Sequence, residues 1–195
     1  MDQNPETTLD ITQAMADELT DYLMGDKLYR QVMVQTPDGF KQPKMTIGAL
    51  LENLQDLAWQ RDALNDGQQA ALDGIVEQVN IGRNAFSDSW EALLRRELKA
   101  LLDSWRWYLD DVSRDEAARE NYARESRVRT RIDLVQRALA DDPQTADERK
   151  ELGELDTRLK GMMQPGDYVG PAGEQAHYPR RDAWWLYGTP EEGDE

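Results

Sequence analysis

The sequence predicts a mainly α fold: an antiparallel helical bundle of five to six helices, with a small β-hairpin near residues 29–45 and an irregular aromatic C-terminal tail. Three observations carry that prediction. Apolar residues recur three and four apart through most of residues 9–162, the spacing that builds one face of a helix. Thr36-Pro37-Asp38-Gly39 interrupts this pattern with a turn signal, since proline presets the first turn dihedral and glycine accepts positive φ. The last stretch surrounds Tyr168, Val169, Tyr178, Trp184, Trp185, Leu186 and Tyr187 with Gly, Pro and acids and keeps neither a helical nor a strand period. Residues 1–163 therefore read as a bundle domain with a hairpin insertion at 27–45, and 164–195 as a tail that docks on it.

Each element follows from its own residues. Ile11, Met15, Leu19, Tyr22 and Leu23 share one stripe, which predicts a first helix from Leu9 to Met24 that stops at Gly25. Tyr29 to Gln35 and Phe40 to Met45 flank the turn as the two hairpin strands. Pro43 lacks an amide proton and so belongs on an edge, and two strands alone are marginal unless they lie on helices. Ile47, Leu50, Leu51, Leu54, Leu57, Ala58 and Leu64 form the next apolar stripe. Asp66 with Gln69 has the spacing of a capping box before Leu72, Ile75, Val76 and Val79, and Gly82 is the expected stop.

A long helix opens at Asp88 and carries Leu94, Leu98, Leu101, Trp105, Leu109 and Val112. Ser113-Arg114-Asp115-Glu116 has the composition of a further box, so the chain is expected to turn there and return through Val128, Ile132, Val135 and Leu139. No Gly or Pro enforces that turn, and one helix from Asp88 to Ala140 is the alternative. Asp141-Asp142-Pro143 is the expected stop. Thr145 and Glu148 cap a last helix through Leu152, Leu155, Leu159 and Met162, closed by Pro165-Gly166.

Composition narrows the class further. Thirty-nine acids oppose 23 bases for a formal charge of −16, which disfavours wholesale binding to nucleic acid or to anionic lipid. Leu, Ile, Val and Phe supply 37 of 195 residues, a borderline core that six Trp, seven Tyr and seven Met extend. With no cysteine, disulfides, thiolate nucleophiles and Cys-based zinc sites are excluded. The first eight residues have no basic-then-apolar signal pattern, and no apolar run reaches the roughly 18 residues of a membrane span. The expectation is a cytoplasmic protein that binds neither nucleic acid nor membrane. The charge is uneven: residues 27–45 hold four bases and one acid, against seven acids and no base in 1–26.

Little in the chain carries catalytic chemistry. The sole histidine, His177, lies in the tail without a serine elbow, and it cannot supply the paired Glu-x-x-His elements of a di-iron bundle. Glu148 with Glu151, or Glu18 with Asp21, share a helix face as Mg²⁺ ligands would, yet 39 acids produce such pairs by chance. Neither catalytic, metal nor cofactor residues are assigned, and no cofactor is expected. Asp115/Arg119, Glu120/Arg124, Glu125/Arg129 and Asp133/Arg137 form i,i+4 pairs and leave Arg127 and Arg131. Asp103 or Asp110 is expected to answer those two arginines; failing that, they are candidate anion ligands.

The interaction candidates are Trp107, Trp184, Trp185, Leu186 and Tyr187. Trp107 lies two residues from the core-facing Trp105 and so points about 160° away from it, onto a polar face that wants cover. The Trp184–Tyr187 run is the natural cover, in cis or on a second copy; the alternative is that it serves as a linear motif for an unrelated protein. The function expected from this reading is a non-enzymatic interaction or scaffold protein, homodimeric, with a further protein partner open. Alternatives are a Mg²⁺-dependent all-α nucleotide phosphohydrolase and an acidic mimic of DNA.

Overall fold

The computed structural model describes residues 4–140 and 142–191; residues 1–3, Asp141 of the expected Asp-Asp-Pro stop, and the tail end 192–195 lie outside the described residues. The fold is mainly α with small antiparallel strand pairs. The chain forms two compact units that divide between Glu97 and Leu98, inside its longest helix.

The first unit opens with α1 (Pro5–Asp17) and α2 (Leu19–Met24). The helix starts four residues before the expected Leu9, because Pro5 sits in its first turn and the Asn4 side chain caps the Glu6 amide. Glu18 breaks the expected single helix in two. The hairpin follows as a two-stranded ribbon: β1 (Arg30–Gln31) pairs with β4 (Lys44–Met45), and β2 (Val34–Thr36) with β3 (Gly39–Lys41). Both ladders share one register, and Val32 N–H donates to the Pro43 carbonyl between them at 3.1 Å. Gly39 has φ +99°, so the turn uses the glycine as the sequence implies. Val32, Thr36 and Met45 are buried on the inner face. The ribbon is tied to the helices by Thr7 Oγ1 donating to Asp38 Oδ2 at 2.6 Å and by Arg30 pairing with Glu18.

Helix α3 (Ile47–Trp59) begins on a double cap. Thr46 accepts from the Ala49 amide, and the buried Glu97 carboxylate accepts from the Thr46 hydroxyl at 2.5 Å and from the Gly48 amide at 2.7 Å. A negative charge there also suits the positive end of the helix. Helix α4 (Asp66–Ala85) starts on a box one residue earlier than expected, Asn65 with Gln68. Gly82 does not stop it. A Cβ at Gly82 would meet Leu19 Cδ2 at 3.0 Å, so this glycine permits close packing on α2 instead. Met15, Leu19, Leu23, Met45, Ile47, Leu50, Leu57, Ile75 and Leu94 are buried here.

Helix α5 (Ser87–Val112) carries the chain into the second unit. It ends where the sequence implied, and one unbroken helix to Ala140 is not formed: α6 (Glu116–Glu120) and α7 (Tyr122–Ala138) follow. The cap is the Asp115 side chain on the Ala117 amide, while Ser113 donates back to the Asp110 carbonyl. Helix α8 (Ala146–Met162) is preceded by a 3-10 turn at Pro143–Thr145, with Asp142 accepting from the Gln144 amide. Arg106 of α5 pairs with Glu151 of α8, and Arg158 of α8 with Asp110 of α5, tying the two helices together.

The tail is more regular than its sequence suggests. Strand β5 (Met163–Tyr168) pairs antiparallel with β6 (Tyr187–Pro190). Gly188 makes the close approach possible: its φ is +127°, and a Cβ there would lie 2.0 Å from the Gln164 carbonyl oxygen.

Candidate interaction surfaces

The tail aromatics are placed by α7 and α8. Trp185 is 1% exposed. Its carbonyl accepts from the Tyr122 hydroxyl, and its indole N–H donates to Thr130 Oγ1 at 3.1 Å. Over its ring lies the Arg129 guanidinium, 4.0 Å from the centroid, which is itself held by Asp156 through two 2.8 Å hydrogen bonds. The Arg129 side chain is only 5% exposed; Asp156 takes Nε and Nη2 and the indole lies on the guanidinium face, while Nη1 is buried without a hydrogen-bond partner among the described residues. Trp184 is half-buried, edge-on to Trp185 and beneath Lys160 Nζ at 4.6 Å. Leu186 is buried, and half-buried Tyr187 donates to the Tyr178 carbonyl at 2.7 Å.

Burial also acts on the phenols. Desolvation raises the pKa of Tyr122, with the neighbouring Tyr108 adding to it, and desolvation likewise raises Tyr108 and Tyr168. In the first unit Tyr22 is raised by burial and then by the Glu97 charge.

Trp107 lies elsewhere. It is 71% exposed and the tail does not cover it, because the tail rings pack on α7 and α8. Asp103 and Asp111 stand one turn to either side of it on α5.

The arginines of α6 and α7 differ from the helical pairing expected of them. Asp133/Arg137 does form at i,i+4, but Arg129 reaches Asp156 instead of Glu125, Arg124 meets the adjacent Glu125, and Arg119 donates to the Val112 carbonyl. Neither Asp103 nor Asp110 answers Arg127, since they are engaged by Arg106 and Arg158. Arg127 faces Glu174 of the tail at 4.0 Å, and Arg131 is half-buried with an interaction of its own. Of the pairs offered as Mg²⁺ ligands, Glu18 and Asp21 both face Arg30 and Glu151 faces Arg106, while Glu148 Oε2 is buried without a hydrogen-bond partner among the described residues. Among the described residues no group of three or more His, Cys, Asp or Glu is arranged to hold a metal ion, and no helix is long and apolar enough to cross a membrane.

A surface that sequence reasoning passed over is the outward face of the hairpin. Side chains alternate across the ribbon, which sends Tyr29, Gln31, Met33 and Gln35 outward on one strand and Phe40, Gln42 and Lys44 outward on the other. Tyr29, Met33 and Phe40 are 53%, 69% and 57% exposed. Lys44 Nζ lies 5.7 Å from the Tyr29 ring centroid. The signal was the period of two itself: the apolar residues at 29, 33 and 40 share a face with three glutamines, whereas Val32, Thr36 and Met45 share the other.

Comparison with known proteins finds no matching family model, no matching curated protein and no matching solved structure.

Proposed function

We propose that this is a non-enzymatic interaction or scaffold protein that works as a homodimer, its two copies meeting through the outward face of the hairpin. The observation that carries this reading is a face without an acid in a chain of charge −16. Two such chains repel, so self-association is cheapest where like charge is lowest and apolar surface highest. Tyr29, Met33 and Phe40 supply that surface; the glutamines supply donors and acceptors that a two-fold partner satisfies reciprocally.

Seven outward side chains make a small interface, below the roughly 20–30 residues a side of a tight complex, so the dimer is concentration-dependent. Light scattering across a dilution series tests it. The mass should rise from 22.4 kDa toward twice that value as concentration increases, and added salt should favour the dimer by screening the repulsion. Phe40→Asp should hold the mass at 22.4 kDa. A wild-type chain that stays at the monomer mass at every concentration and salt would rule the reading out.

A further inference from the structure

Trp107 is the most exposed large apolar side chain in the second unit, and hydrophobic cover from its own tail is spent on α7 and α8. Its setting is acidic. Asp103 and Asp111, four residues before and after it, flank the indole on the same stripe of α5. Asp103 is shared with Arg106, which also holds Glu151, and Asp110 pairs with Arg158. Asp111 takes part in no ion pair among the described residues.

The molecule shows elsewhere what such a ring and such carboxylates hold. Trp185 carries the Arg129 guanidinium on its face, 4.0 Å from the centroid, while Asp156 grips the same guanidinium from the side. Trp184 carries Lys160 and Tyr187 carries Arg180, at 4.6 and 4.8 Å. Trp107 with Asp103 and Asp111 repeats the ring and the carboxylates with no cation on the ring among the described residues. We infer that Trp107, bracketed by Asp103 and Asp111, is a docking point for an arginine-bearing segment of a basic partner protein. A guanidinium lies flat on the indole and donates to a flanking carboxylate, and the net charge of −16 draws such a partner in. A second copy of this acidic chain is repelled at the same place, so this surface is separate from the hairpin face and does not depend on it.

The probe is an acetylated, amidated tetra-arginine peptide titrated into the full chain, read on the indole N–H signals of a nitrogen-15 correlation spectrum. The Trp107 signal, assigned by its loss in Trp107→Phe, should move saturably. Trp107→Leu and Asp111→Asn should each weaken binding roughly two- to fivefold, the size of an exposed cation–π contact. Glu77→Gln, which removes an exposed acid of the first unit, should leave the affinity unchanged, and tetra-lysine should bind more weakly than tetra-arginine. Three results overturn the proposal: a Trp107 signal that does not move, equal weakening by Glu77→Gln and Trp107→Leu, or equal binding of the two peptides. Each means that diffuse charge holds the peptide. Because Trp107 is exposed, its replacement does not disturb the fold, and the wild-type signal alone decides the first outcome.

Discussion

At the scale of single residues, the second unit is organised around one buried cation. Arg129 stands between the Trp185 ring and the Asp156 carboxylate, and each partner is needed for the other. Removing Asp156 leaves a guanidinium buried without a counter-charge, so Asp156→Asn should cost about 3–5 kcal/mol in chemical denaturation. A cost below about 1 kcal/mol would mean that the pair is hydrated and structurally idle. The sequence offered Glu125 as the partner, because helical spacing is visible in a sequence and a neighbour 27 residues away is not. Trp185 was legible as a ring too large to leave in water; its seat between Thr130 and Tyr122 was not, since both bonds depend on how the tail returns.

At the scale of elements, helices were read well from apolar spacing and their ends less well. Caps depend on one side chain reaching one amide: Asn65 caps one residue before, and Asp115 two residues after, the positions that pattern alone favoured. Gly82 resembled a stop and is a packing site against Leu19, a distinction that only the facing helix makes. The β5–β6 pair was hidden because its strands are 18 residues apart and hold glycine and proline, which depress any strand signal. Its geometry makes Gly188 irreplaceable. Gly188→Ala forces a side chain into a positive-φ conformation and against the Gln164 carbonyl, so it should lower stability by about 2–4 kcal/mol, read from the denaturation midpoint. Unchanged stability would mean that the pair is not held as described.

At the scale of the whole molecule, charge and buried phenols set the response to conditions. Tyr22, Tyr108, Tyr122 and Tyr168 all have pKa values raised, chiefly by desolvation. An unfolded chain loses these protons near pH 10 while the folded chain retains them, so their contribution is full below about pH 10 and falls as pH rises above it. Denaturation midpoints at successive alkaline pH values, followed alongside phenolate absorbance, should show stability dropping before the folded chain ionises. Ionisation of all seven tyrosines near pH 10 without unfolding would contradict the burial described. The acidic net charge was readable from composition; the acid-free hairpin face was not, because alternation in a two-stranded segment does not say which of its two faces lies on helices.

That face is the centre of the functional account, and the absence of cysteine allows one direct test of it. Gln42→Cys places a unique thiol on the outward side of the ribbon, and a nitroxide there reports on a second copy. Face-to-face ribbons stack about 10 Å apart, so a strong dipolar coupling between labels is predicted, lost on adding Phe40→Asp or on dilution with unlabelled chain. A labelled chain that forms a dimer by mass yet shows no coupling would place the contact elsewhere and contradict the account.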